Sequence, residues 1–266
     1  MTPVFGLDAS FSAINWDAVL GALHSRPQVY VQCLWTGGYR NHPALLRVAE
    51  ANLRGARERG LVTAGYVNAS PWYPQAEGLR RAQEVAGAEW EHLRVLAVDV
   101  EIEGVTLGQV RELCELAAAT GKRVCIYTAQ WFWAGKLGDP QDDWLRAYPL
   151  WYALYDGVAE LMGRGEPGFG PAGWPVVGKQ FQGTTAIAGA QFDLNVFDLE
   201  WWQGGDDMGI DWDEKVPIYP LTAEQQPPLG KLLNDLFWAV VKLDERVKAL
   251  EAQKGGGCQC VCRQQS

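Results

Sequence analysis

Positive charge is scarce and scattered in this sequence. Its 266 residues carry 23 Lys and Arg against 32 Asp and Glu, a formal net charge of −9. The densest basic cluster, Leu53 to Gly60, reads as the polar face of a helix. Phosphate binding wants clustered cations, so nucleic acid is not expected as a partner. Long hydrophobic runs are missing too. None approaches the roughly 20 residues that cross a bilayer, and no membrane insertion is expected. The opening MTPVFGLDAS has neither the basic nor the apolar segment of a cleavable leader, so no signal peptide is read there. Histidine is down to His24, His42 and His92, at helix ends or in loops without metal-ligand spacing; no metal or cofactor is expected. Cysteine is sparse until the last nine residues. Cys33, Cys114 and Cys125 lie in apolar segments and read as buried thiols. Cys258, Cys260 and Cys262 follow a glycine run, where interchain disulfides or a flexible tail are simpler readings than a soft-metal site.

What is present is tryptophan and alternation. Thirteen Trp is a heavy load for this length; most such rings pack in a core, and a minority line grooves that stack on flat or sugar-like ligands. Eight short apolar runs read as strands: residues 3–10, 28–35, 61–69, 94–101, 123–129, 150–156, 176–182 and 193–197. Amphipathic patterns over 43–59, 75–92 and 107–120 separate the early ones, the last followed by Gly121 as a C-cap. Strand and helix in alternation imply parallel strands with helical crossovers. Later connections are rich in Gly and Pro, so helices there should be poor or missing. The fold expected is α/β, a flattened or incomplete (β/α)8-type barrel over residues 1–204, with a doubly wound sheet as the alternative.

Beyond Gly204 the pattern changes. Residues 205–228 are acidic and Pro-rich and read as a linker. In 229–254, Leu229, Leu233, Leu236, Val240, Leu243, Val247 and Leu250 alternate spacings of four and three, a heptad seam. That seam is either one helix packed on the domain or a separate coiled coil; the linker before it and the Gly/Cys tail, 255–266, favour the coiled coil. A homo-oligomer is then expected, with β-branched Val240 and Val247 leaning towards two strands.

The acids fall where strands end. In VLAVDVEIEG, residues 95–104, Asp99 and Glu101 are two apart and share a face. Catalytic groups of β/α barrels gather at the C-terminal strand ends. Two close carboxylates repel, which keeps one protonated near neutrality, and a protonated acid beside an ionised one suits acetal hydrolysis. A D-x-E pair alone is weak evidence, and by itself a strand end salt-bridged to arginine is the better reading. Asp8 closes the first strand and Asp193 opens the eighth, and in a closed barrel those strands are neighbours. Glu103 falls past the strand end and is expected to be solvated or at the rim.

These motifs in order resemble the glycoside hydrolase family 25 lysozymes, the muramidases of bacteria, fungi and phages. GLDAS followed by INW resembles the family's opening, VDVE its D-x-E strand, and IYTAQWFW, LWYALY, KQF and DLNVF its later segments, over roughly residues 4–200. The resemblance implies cleavage of the β-1,4 bond from N-acetylmuramic acid to N-acetylglucosamine in peptidoglycan, with Glu101 as general acid and Asp99 tuning it and orienting the acetamide. Asp8 and Asp193 would complete the acidic cleft. Tyr66, Tyr127, Trp151 and Gln180, near strand ends, are candidate sugar contacts, with core packing at least as good a reading of each.

The match has departures. The second strand reads VQCLWTGG in place of a segment close to I-K-A-T-E-G, the third has Val67 and Asn68 after Tyr66 in place of H-F, and Lys179 replaces the Trp of W-Q-Y. The implied setting is a phage lysin or a virion-associated lysozyme, located in the virion or in host cytoplasm before release and acting on the cell wall, with other virion proteins as further partners. The departures keep a second reading in view, a non-enzymatic tail protein that retains a sugar-binding fold. A chitinase-like enzyme ranks below both, because the longer run of acids and glycine before the glutamate is absent.

Overall fold

The computed structural model describes residues 2–38, 42–161 and 168–204. The expected linker, coiled coil and Gly/Cys tail at 205–228, 229–254 and 255–266 lie outside the described residues.

Eight strands close into a barrel in chain order: β1 (Pro3–Ala9), β2 (Val29–Trp35), β3 (Val62–Asn68), β4 (Val95–Asp99), β5 (Arg123–Ala129), β6 (Leu150–Ala153), β7 (Val176–Ile187) and β8 (Ala190–Asp198). β1 to β7 are parallel, and β8 runs antiparallel to both its neighbours, β7 and β1. The wholly parallel sheet expected from strand–helix alternation is corrected at this one strand. A β7–β8 hairpin replaces the last crossover; it turns through Ala188 and Gly189, both at positive φ, the geometry of a two-residue type I′ turn.

Helices cover the early strands, α1 (Trp16–Ala22), α2 (Pro43–Glu58), α3 (Gln75–Ala86), α4 (Leu107–Ala118) and α5 (Gln130–Leu137), and a short α6 (Leu199–Gln203) follows β8. The 75–92 pattern breaks at Gly87, where φ is 56°, and continues as a 3-10 segment to His92. α4 starts in a capping box, Thr106 with Gln109, and stops before Gly121 at φ 78°. Among the described residues no helix lies between β6 and β7. The barrel is therefore complete in strands and incomplete in helices.

Period-two alternation divides the core. Outward residues such as Leu7, Leu34, Leu96, Val98 and Ile126 pack against the helices. Inward residues pack the lumen, small on β2 to β4 (Val31, Ala64, Ala97) and large on β6 and β8, where Trp151 meets Phe197. Glycines make room for that plug: a Cβ on Gly6 would stand 2.5 Å from the Phe197 ring, and one on Gly178 would stand 2.8 Å from both Phe197 and Trp151. Above this floor the inward positions change from apolar to acidic and amide side chains.

Candidate functional site: a carboxylate cluster at the barrel mouth

Following each inward row upward locates the site. On β1 it runs Val4, Gly6, Asp8; on β4 Val95, Ala97, Asp99; on β8, read backwards, Phe197, Asn195, Asp193. Reversal of β8 is decisive. Asp193 lies near the strand's start, and in a parallel barrel a start lies at the opposite end from Asp8. Running antiparallel, β8 sets Asp193 directly across from Asp8 in register. Glu101 follows β4 by two residues. The backbone there is tied to β5 by Val100 N–H donating to the Tyr127 carbonyl at 2.9 Å and by Thr128 Oγ donating to the Val100 carbonyl at 2.8 Å.

Gln180 joins the two sides. Its Nε2 donates to Asp8 Oδ2 at 2.8 Å and to Asp193 Oδ2 at 3.3 Å, while its Oε1 accepts Tyr127 Oη at 2.7 Å and Tyr155 Oη at 2.8 Å. Asn195 Nδ2 also donates to Asp8 Oδ2, at 2.7 Å, and Asn195 Oδ1 accepts the Trp151 indole N–H at 3.0 Å. Thr184, at φ 43° within an irregular stretch of β7, donates its backbone N–H to Asp193 Oδ1. Bulges re-aim single groups in this way at strand ends near sites.

Burial raises all four carboxyl pKa values, and repulsion from neighbouring carboxylates adds to it for Asp8, Asp99 and Glu101. Asp8 is raised by burial, then by Asp193 and Glu101, against opposing bonds from Asn195 and Gln180. Glu101 is raised by burial, then by Asp99 and Asp193. Burial pushes Asp99 up to about 7, partly offset by Asn68, with Asp8 adding to the rise. Burial pushes Asp193 up to about 6, less far because the Thr184 N–H favours its anion. Asp99 Oδ1 is buried with no hydrogen-bond partner among the described residues. The cluster is thus desolvated, and its donors sit unevenly, on Asp8 and Asp193 and not on Glu101.

The other candidates divide. Gln180 is buried and bridges the acids. Tyr127 is buried against Trp151, with ring centroids 4.6 Å apart, and holds Gln180. Trp151, at 1% exposure, has no face open to a ligand; it supports Asn195 from the floor. Tyr66 is half-buried and shares a 2.7 Å hydrogen bond with Ser10. Glu103 is exposed and pairs with Lys136 at 3.0 Å. His24, His42 and His92 are exposed, and Cys33, Cys114 and Cys125 are buried free thiols. Sequence reasoning missed Tyr155, although L-W-x-A-x-Y spacing puts it in one row with Trp151 and Ala153. Asn195, inside the DLNVF segment, is a further member of the site through its bond to Asp8. Two exposed tryptophans, Trp72 after β3 and Trp131 after β5, flank in barrel order the β4 loop that carries Glu101.

Fold and site together describe a β/α barrel with desolvated carboxylates at its C-terminal mouth, an arrangement suited to general acid–base chemistry. Comparison with known proteins gives this class a family likeness. No family model matches the chain. Over 89 residues, 33% of the chain, it is 34% identical to a probable GH family 25 lysozyme of Dictyostelium discoideum, and the match spans 18% of that relative's length. In fold it is similar to the catalytic domain of endolysin ply40 from bacteriophage P40 of Listeria monocytogenes, with a TM-score of 0.54 and 14% identity over 76% of this chain and 96% of that one. A glycosyl hydrolase 25 virulence factor of Streptococcus pneumoniae aligns with a TM-score of 0.48 and 15% identity, over 73% of this chain and 87% of that one. The chain resembles the family 25 lysozymes in a third of its sequence, and it shares the barrel fold of the phage endolysin.

Proposed function

We propose that the protein is a peptidoglycan hydrolase of the muramidase type, cleaving the β-1,4 bond between N-acetylmuramic acid and N-acetylglucosamine. The observation that carries the reading is the uneven supply of donors among four desolvated carboxylates. Glu101 has no donor among the described residues and two acidic neighbours, so its neutral form is favoured. It protonates the glycosidic oxygen as the bond to the anomeric carbon breaks; water delivers its hydroxyl to that carbon and its proton back to Glu101. Asp193, with donors on both oxygens, is an anion at neutral pH and stabilises positive charge developing on the sugar ring. Asp8, its pKa raised by burial and by Asp193, shares the Gln180 bridge and keeps that amide directed at Asp193. Asp99, buried beside Glu101, raises the acid's pKa, and its buried Oδ1, unpartnered among the described residues, is left to accept a donor such as an acetamide N–H only if the substrate reaches it. The likeness to family 25 lysozymes supports the choice of glycan, and a phage lysin or virion-associated enzyme is the setting that fits it.

The test is clearing of purified peptidoglycan, with muropeptides read by mass spectrometry. Wild type is expected to release fragments with new N-acetylmuramic acid reducing ends, and Glu101→Gln to lose about 100-fold or more in rate. Equal rates for the two proteins, or binding of glycan by wild type with no product, would overturn the assignment; the second outcome would establish the non-enzymatic sugar-binding reading.

A further inference from the structure

Lysine is costly to bury, yet Lys179 on β7 is 2% exposed. Strand alternation explains where it points. Gln180 faces the barrel mouth, so Lys179 faces outward, against the connection from β6, whose described residues form no helix. There Nζ donates to Asp156 Oδ2 at 2.8 Å and to the Val158 carbonyl at 2.9 Å. The same segment is laid along β7 by Leu154 N–H donating to the Gln180 carbonyl at 3.0 Å and Gly157 N–H donating to the Phe181 carbonyl at 3.1 Å. Between those ties sits Tyr155. It is 61% exposed, yet its hydroxyl reaches Gln180 Oε1.

That hydroxyl bears on the orientation of the Gln180 amide. A primary amide can rotate by half a turn, which here would set its oxygen against the oxygens of Asp8 and Asp193. Two phenol donors on Oε1 hold the other orientation, with the NH2 group towards the acids. Tyr127 is fixed by burial on β5. Tyr155 is fixed through its own backbone segment.

We propose that Lys179 is a positioning residue: by clamping Asp156 and Val158 it holds Tyr155 on Gln180, and so keeps the Gln180 amide donating to Asp8 and Asp193. Its kinetic consequence rests on the hydrolase reading, while its effect on carboxyl titration does not. The titratable groups around the amide are Asp8, Asp99, Glu101, Tyr127, Tyr155 and Asp193.

The experiment compares full-length wild type, Lys179→Met, Tyr155→Phe and the double variant. Carbon-detected NMR follows the titration of Asp8 and Asp193, and muropeptide release gives kcat and KM. Each single variant is expected to shift the Asp193 titration upward, because an N–H bond to its anion is lost, and to lower kcat about tenfold with KM nearly unchanged. The double variant is expected to match Tyr155→Phe. Two results would overturn the proposal: an Asp193 titration unchanged by Lys179→Met, or a double variant displaced beyond Tyr155→Phe, since lysine would then act by its own charge. If Lys179→Met does not fold, Asp156→Asn loosens the clamp from its exposed side and carries the same expectations. Absence of turnover in wild type would sink the hydrolase reading and leave the titration to judge the clamp.

Discussion

At the scale of single residues, the acids of the mouth carry a cost that pH exposes. A carboxyl raised in the folded state binds a proton that the unfolded chain has already released. Folding is then strongest at low pH, weakens as pH rises from the ordinary carboxylate range near 4, and levels off above the folded value. Asp99, pushed up to about 7, and Asp193, pushed up to about 6, place that window between roughly pH 4 and 7. Asp99→Asn removes the larger of these two rises and should raise stability at pH 7 by about 1–2 kcal/mol, with little effect at pH 4. Thermal melts of both proteins across that range measure it; parallel curves would show that Asp99 does not titrate as its burial implies. The same variant should lose turnover, since an amide nitrogen replaces one carboxylate oxygen and the acidic field on Glu101 is gone.

Among the elements, the β7–β8 hairpin does most to complete the site. It supplies Gln180, Thr184, Asp193 and Asn195, and it turns through Ala188 at φ 48° without the Asn-Gly pair that such turns favour. Alanine pays roughly 1 kcal/mol for a left-handed backbone that asparagine adopts more readily. Ala188→Asn should therefore stabilise the protein by about 0.5–1 kcal/mol, seen as a rise of roughly 2–4 °C in Tm with turnover unchanged. A fall in Tm would mean that the turn is not of this type. The hairpin also marks where sequence reasoning stopped. Helix periods over 43–59 and 107–120, and apolar runs at every strand, were legible because burial on one face writes the period into the chain. Strand direction leaves no such mark, since alternation by two reads the same both ways. Asp8, Asp99 and Glu101 could be placed at strand ends, and Asp193 was set beside Asp8 through barrel closure, but the reversal that puts it at the same mouth was not visible. Gln180 was singled out as a sugar contact, whereas its bridging of Asp8 and Asp193 depends on β1, 172 residues away at Asp8, closing beside the β7–β8 hairpin. Lys179 registered only as a departure from a motif, because the partners that make a buried ammonium tolerable lie over twenty residues away, beyond any local pattern.

For the whole molecule, the heptads of 229–254 predict self-association, and the consequence is specific to an insoluble substrate. Several barrels joined through Pro-rich linkers of 24 residues would engage one glycan mesh together, the second contact being made at a high effective concentration set by the linker. A soluble oligosaccharide occupies one site at a time and gains nothing. Sedimentation of the full chain is accordingly expected to give a multiple of the 29.4 kDa protomer mass. Leu236→Asp with Leu243→Asp puts charge into the seam and should return the protomer, because a carboxylate in a two-stranded core has no partner to offset its desolvation. The protomer should clear whole walls about tenfold more slowly or worse, yet cleave soluble fragments at the wild-type rate. Loss on both substrates would point to damage in the barrel, and a monomeric wild type would return the heptads to a single helix packed on its own chain. Equal clearing by an oligomer and its dissociated variant would mean that one barrel at a time does the work on the wall.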